Sequence, residues 1–204
     1  MISSNRCSEN IDTHPENINV HIGEIKIGKG NQVLHTLLGS CIGIGLLWPS
    51  QRLYGLAHCL LPKRHALPKN GREAEDKSQE HLKGNAPITA EYEIDESEKS
   101  EREIGGRFID QALYSLPKLM GIQRHDLPSL EAIVAGGGNM TMPDDTSPDK
   151  LVGAVNAQFA IDMLKEKRIQ IIHQDVGGLM GRKMFINCNT GHYSIKQIPR
   201  DQAG

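Results

Sequence analysis

The stretch QVLHTLLGSCIGIGLLWPSQRLYGLAHCLLP, residues 32–62, decides the fold. Gln32 to Leu38 and Ile42 to Trp48 are apolar, rich in strand-forming residues and too short for stable helices, so each predicts a strand. Leu38-Gly39-Ser40-Cys41 joins them. A third run, Tyr54 to Leu61, is stopped by Pro62, which cannot continue a central ladder. Gly43 and Gly45 sit inside the second strand, where a neighbouring backbone or a ligand must come close.

On the N-terminal side, Val20, Ile22, Ile25 and Ile27 predict an extended segment ending at the Gly28-Lys29-Gly30 turn. Residues 1–17 are polar and aperiodic, and the expectation for them is a flexible tail. On the C-terminal side, 19 of the 42 residues from 63 to 104 are charged, which predicts a mobile insertion in a single domain spanning 18–204. Phe108, Ala112, Leu113 and Leu116 share a helical face within Arg107 to Met120, and Pro117 argues for a break or kink late in that helix. Leu130 to Ala135 reads as a buried strand running into Gly136-Gly137-Gly138-Asn139.

Asp149 to Lys167 is the clearest helix, and Val152, Val155, Phe159 and Met163 form the stripe expected to pack on a sheet. Ile169 to Val176, Met184 to Cys188 and His192 to Ile198 complete the strands, the last two joined by a turn at Asn189-Thr190-Gly191. The sum is about seven strands and two or three helices, an α/β or α+β domain without a regular βαβ repeat.

Bulk properties narrow the function. The chain has 204 residues, 23 basic and 25 acidic, giving a formal charge of −2, so no basic field exists to hold a phosphate backbone. No stretch approaches the ~20 apolar residues of a membrane helix, and the N-terminus lacks an apolar run behind a basic start. The expectation is a soluble, cytoplasmic protein whose four cysteines (Cys7, Cys41, Cys59, Cys188) are free thiols.

Cys41 and His58 carry the chemistry of interest. A thiol attacks only as thiolate, and a cysteine of ordinary pKa, ~8.5, is a few per cent ionised at neutral pH, so a nucleophilic cysteine needs a local activator such as histidine. Cys41 follows small residues at a strand junction, where the sulfur is open and backbone N–H groups are available to an oxyanion. On spacing alone, however, a buried cysteine and a core histidine are the commoner reading. Other constellations fail sooner. Gly43-Ile-Gly45 lacks the third glycine of a dinucleotide turn, and Gly136-Gly-Gly-Asn-Met-Thr141 lacks a phosphate-loop lysine. Cys188 and His192 have no Cys-x-x-Cys partner and read better as a hairpin tip.

Leu38-Gly39-Ser40-Cys41 followed by Gly55-Leu-Ala-His58-Cys-Leu-Leu-Pro62 resembles the signature of the chemoreceptor glutamine deamidase family, CheD, in which LGSC precedes G-x-A-H-x-x-L-P. The resemblance continues through Gly136-Gly137-Gly138-Asn139-Met140, Asn156, Asp175-Val-Gly-Gly178, Gly181-Arg182-Lys183 and Thr190-Gly191. It implies a three-layer α/β/β sandwich with mixed sheets, similar to the cytotoxic necrotising factor deamidases. It also implies conversion of glutamines on methyl-accepting chemotaxis receptors to glutamate, with Cys41 as nucleophile, His58 as acid/base and no metal or organic cofactor. The family places a threonine six residues before the cysteine. Here His35 holds that place and Thr36 follows it, so Thr36 serves as the third group if the strand bulges, while His35 faces solvent.

Two alternatives accompany this expectation. The first is a regulatory module that partners a CheC-type chemotaxis phosphatase, which the presence of both Cys41 and His58 disfavours. The second is zinc hydrolysis through Cys41, His58 and Cys59, which fails because Cys59 points away from His58 on a strand.

Overall fold

The computed structural model describes residues 14–63 and 103–200. The expected tail up to residue 13 and the expected insertion from 64 to 102 therefore lie outside the described residues. Within them the order is β1 (Glu16–Asn19), β2 (Ile25–Gly28), β3 (Gln32–Leu38), β4 (Ile42–Trp48), β5 (Leu53–Cys59), α1 (Ile109–Leu119), β6 (Glu131–Gly136), α2 (Val152–Glu166), β7 (Gln170–Val176), β8 (Gly181–Asn187) and β9 (Tyr193–Ile198).

Two mixed sheets form, a four-stranded one in the order β1-β3-β8-β9 and a five-stranded one in the order β2-β5-β4-β6-β7. One face of the larger sheet carries α1 and α2 and the other packs on the smaller sheet, giving three layers, α/β/β. Alternation along β4 and β5 builds both interfaces at once. Ile42, Ile44, Ala57 and Cys59 are buried with Leu113, Leu116 and Ala160 of the helices, whereas Leu47, Tyr54 and Leu56 are buried against Leu34, Met184 and Ile186 of the smaller sheet. Gly45 faces that second interface. A Cβ there would lie 2.8 Å from Met184 Cε and 2.9 Å from Ile186 Cδ1, so the glycine is what lets the two sheets close.

Three expectations need correction. The strand β1 starts inside the supposed tail, because its four residues, three of them polar, pair through their backbone, parallel to β3, at a sheet edge, where Gln32 Nε2 also donates to Glu16 Oε2 at 2.9 Å. Helix α1 is not broken by Pro117. The proline falls in the last turn, where Met120 N–H still reaches Leu116 O at 3.0 Å and Ile122 N–H reaches Pro117 O at 2.9 Å.

The third correction concerns α2. Val152 and Val155, read as its buried stripe, are 53% and 43% exposed. The buried face is instead Gly153, Asn156, Ala157, Ala160 and Leu164, a stripe of mostly small residues that brings the helix close to the sheet. With β6 and β7 paired in parallel on either side of it, α2 is the helix of one βαβ crossover.

Candidate active site

Strand β3 runs opposite β8 without a register break from Val33 to Leu38, so no bulge is needed to bring Thr36 inward. Thr36 is fully buried and His35 points to the outer face, where its ring lies 5.8 Å from that of Phe185. Strand β5 brings His58 to the same interior from the other sheet, with Gly43 beside it on β4. Between them runs the link from β1 to β2. Its backbone grips both sides, as Val20 N–H donates to His35 O at 2.8 Å, Gly23 N–H to His58 O at 2.8 Å, and His58 N–H to Glu24 O at 3.1 Å.

These elements enclose a cleft of about 440 Å³ whose walls include Val20, Thr36, Gly39, Cys41, His58 and Met140. Cys41 is 7% exposed and His58 4%. Thr36 Oγ1 lies 2.7 Å from Val20 O and 2.8 Å from His58 Nδ1. The carbonyl can only accept, so the one hydroxyl proton goes to Val20 O, and Nδ1–H donates to the hydroxyl oxygen. Val20 O, 3.3 Å from Nδ1, is a second acceptor for the same hydrogen. This donor count leaves the neutral imidazole with its lone pair on Nε2, which is buried and has no hydrogen-bond partner among the described residues.

Electrostatics agree with a neutral resting pair. Burial pushes the Cys41 thiol up. Burial also pushes His58 down, opposed by the Val20 carbonyl and reinforced by the nearby His21. Both shifts favour the neutral forms at rest, a thiol at Cys41 and an imidazole at His58.

A change at Thr36 tests the arrangement. Thr36→Val is expected to remove the hydroxyl shared by Nδ1–H and Val20 O and leave them only their longer 3.3 Å contact, lowering stability by about 1–3 kcal/mol in urea unfolding. It should also lower the rate of Cys41-dependent turnover by at least about tenfold, whereas Thr36→Ser retains both.

The turn that carries Cys41 is held from behind. Gly137 N–H donates to Cys41 O and Gly138 N–H to Gly39 O, each at 2.8 Å. Gly136 has φ +105°, and a Cβ on it would overlap the Cys41 carbonyl oxygen. The glycine run thus clamps the Cys41 turn, and its glycines are not among the residues that line the cleft. Gly136→Ala is expected to cost about 3 kcal/mol or more, read as a lowered urea midpoint, because the backbone strain and the overlap add. Asn156 of α2 reaches the same turn, its Nδ2 donating to Ser40 O at 3.3 Å and Leu60 O at 2.9 Å.

Asp175 and Arg182 come together outside the cleft. Arg182 is buried and pairs through Nε and Nη2 with Asp175 Oδ1 at 3.2 and 3.0 Å, while Nη1 donates to Gly177 O and Met180 O. That cluster ties β7 of one sheet to β8 of the other. Asn139 caps its own loop through Met142 and Pro143 and so sets Met140 against the cleft, and Arg200 Nε donates to Met140 O at 2.8 Å. Cys59, strongly shifted upward by burial, faces the helices, opposite to His58. Cys188 is buried between the sheets and pushed up to about 11 by burial.

Sequence reasoning missed the Val20 carbonyl, which as a backbone group leaves no residue-type signal. It singled out Asn156 through the family resemblance but gave it no role.

Comparison with known proteins places this geometry. A family model described as "CheD chemotactic sensory transduction" matches residues 93–197, beginning inside the expected insertion. "Probable chemoreceptor glutamine deamidase CheD 2" of Ruegeria sp. (strain TM1040) is 41% identical over 90% of this chain and 93% of its own length. "Probable chemoreceptor glutamine deamidase CheD" of Bdellovibrio bacteriovorus is 34% identical over 91% of this chain and 97% of its own length. A relative of the same name in Methanococcus vannielii is 27% identical over 88% of the chain. With this coverage, and the LGSC turn and His58 strand brought to one cleft, the chain belongs to the CheD family.

Proposed function

We propose that this chain is a chemoreceptor glutamine deamidase, with Cys41 as nucleophile, His58 as acid/base and Thr36 as the group that orients His58. The observation that carries the reading is the fixed Nδ1–H of His58, which leaves Nε2 free in the cleft that Cys41 lines. Nε2 takes the thiol proton as the sulfur bonds to the glutamine side-chain carbonyl carbon, whose oxygen becomes an oxyanion. When that intermediate collapses, the C–N bond breaks and Nε2–H gives its proton to the departing nitrogen, releasing ammonia and leaving a thioester. Nε2 then deprotonates a water that attacks the thioester, and the same proton returns to Cys41 as glutamate leaves. Every step uses groups of this chain, the substrate amide and water.

The test is incubation with the cytoplasmic helix of a chemoreceptor, following amide-to-acid mass change and ammonia release. Conversion supports the reading, and an unchanged receptor sinks it. Binding of a CheC-type phosphatase is a separate proposal, answered by whether a stable complex forms without ammonia release. Cytoplasmic residence fits a chain in which no helix among the described residues is long and apolar enough to cross a membrane.

The reading also treats residues 18–204 as one domain bearing an insertion. In support, Leu60 N–H donates to Arg107 O at 2.9 Å and Ile109 N–H to Leu61 O at 3.0 Å, so the chain leaves and re-enters the fold at one place. Removing residues 66–101 and closing the gap is expected to preserve deamidation, measured by the same mass assay.

A further inference from the structure

Asn156 is fully buried on α2, among glycine, alanine and leucine, and its side-chain amide spends its Nδ2 hydrogens on two main-chain carbonyls outside the helix. Both acceptors flank the proposed chemistry, because Ser40 precedes Cys41 and Leu60 follows His58 by two residues. The Ser40 carbonyl and the Cys41 N–H belong to one planar trans peptide, so they point in opposite directions. Fixing the first aims the second. The Cys41 N–H donates to no backbone or side-chain acceptor among the described residues, and Cys41 lines the cleft while Asn156 does not. The other side of the same turn is held by Gly137, whose backbone is in contact with Gly153, one turn before Asn156 on α2.

We infer that Asn156 is a positioning residue that locks the Ser40–Cys41 peptide so that the Cys41 N–H faces the cleft as an oxyanion donor. The inference rests on Cys41 being the acyl-accepting nucleophile. Its physical content is preorganisation: a donor already aimed where charge develops costs no reorientation during the reaction. Without the Asn156 amide, the Ser40 carbonyl loses its buried donor and the peptide is free to turn, carrying the N–H out of line.

Two reactions at Cys41 separate this role from simple support of the fold. Alkylation by iodoacetamide requires the thiolate but develops no oxyanion, whereas acylation by p-nitrophenyl acetate passes through a tetrahedral oxyanion. Both are read at the Cys41 peptide by mass. In Asn156→Leu, which keeps the branching at Cγ and removes the donor, acylation is expected to fall about 10²-fold while alkylation stays within about threefold. Asn156→Ala, tolerant of an entering water, provides the same comparison where the leucine variant does not fold. A parallel fall in both reactions overturns the proposal and makes Asn156 a prop for the whole site. Undiminished acylation overturns it as well. Neither reaction uses a receptor, so a wild-type chain that acylates normally yet leaves receptor glutamines intact counts against the deamidase reading and not against Asn156.

Discussion

Cys41→Ala is expected to reduce receptor deamidation by at least about 10⁴-fold, to the rate without protein, since neither of the other two thiols among the described residues can take its place. Cys59 faces the helices and Cys188 is buried in the other half of the sandwich, and burial pushes both thiols far above neutrality. The substitution removes one sulfur from a turn held by main-chain contacts, so the urea midpoint should scarcely move. Mass analysis of a receptor helix after overnight incubation measures the effect. Turnover within tenfold of wild type would exclude a covalent mechanism at this residue.

His58→Gln is expected to lower turnover by about 10²–10⁴-fold, the usual contribution of a positioned acid/base. Its pH signature is the sharper measure. In the proposed mechanism the active form has His58 neutral and Cys41 protonated before attack. Because burial holds His58 below its ordinary 6.5, protonation removes the base only below that value, and the acid limb of kcat/KM should lie on the acid side of it. Because burial raises Cys41, the alkaline limb should lie above the ordinary thiol value. The product is a broad plateau, and loss of the acid limb in His58→Gln identifies its owner. An acid limb above 6.5 in the wild type would contradict a neutral resting imidazole.

The parts of this fold that were legible in sequence are those whose boundaries are chemical. Strands β3 and β4 came out with their observed ends because Gly39-Ser40 interrupts one and Pro49 stops the other. Strand β1 did not, because an edge strand of mostly polar residues is held by main-chain bonds that no side-chain pattern reports. The face of α2 was misjudged since burial there is decided by close approach, which favours Gly153, Ala157 and Ala160 over the larger Val152 and Val155. At the site, Thr36 and His58 lay on strands whose alternation could be counted. The supposed bulge at Thr36 came from fitting a family spacing rather than from counting the strand. The Val20 carbonyl and the aim of the Ser40–Cys41 peptide exist only once the chain has folded.

The hydrogen bonds that fix His58 join residues 16, 22 and 38 positions apart, and the one between Thr36 and His58 spans the two sheets. Contacts of that range form late, after loop-closure entropy has been met elsewhere. Neither sheet alone holds the imidazole in its working tautomer. A chain whose larger sheet had formed while the smaller one was undocked would carry Cys41 and His58 without the Thr36 hydroxyl that fixes the imidazole. Recovery of catalysis during refolding should thus coincide with sheet docking, and nascent or partly unfolded copies would be silent rather than indiscriminate hydrolases.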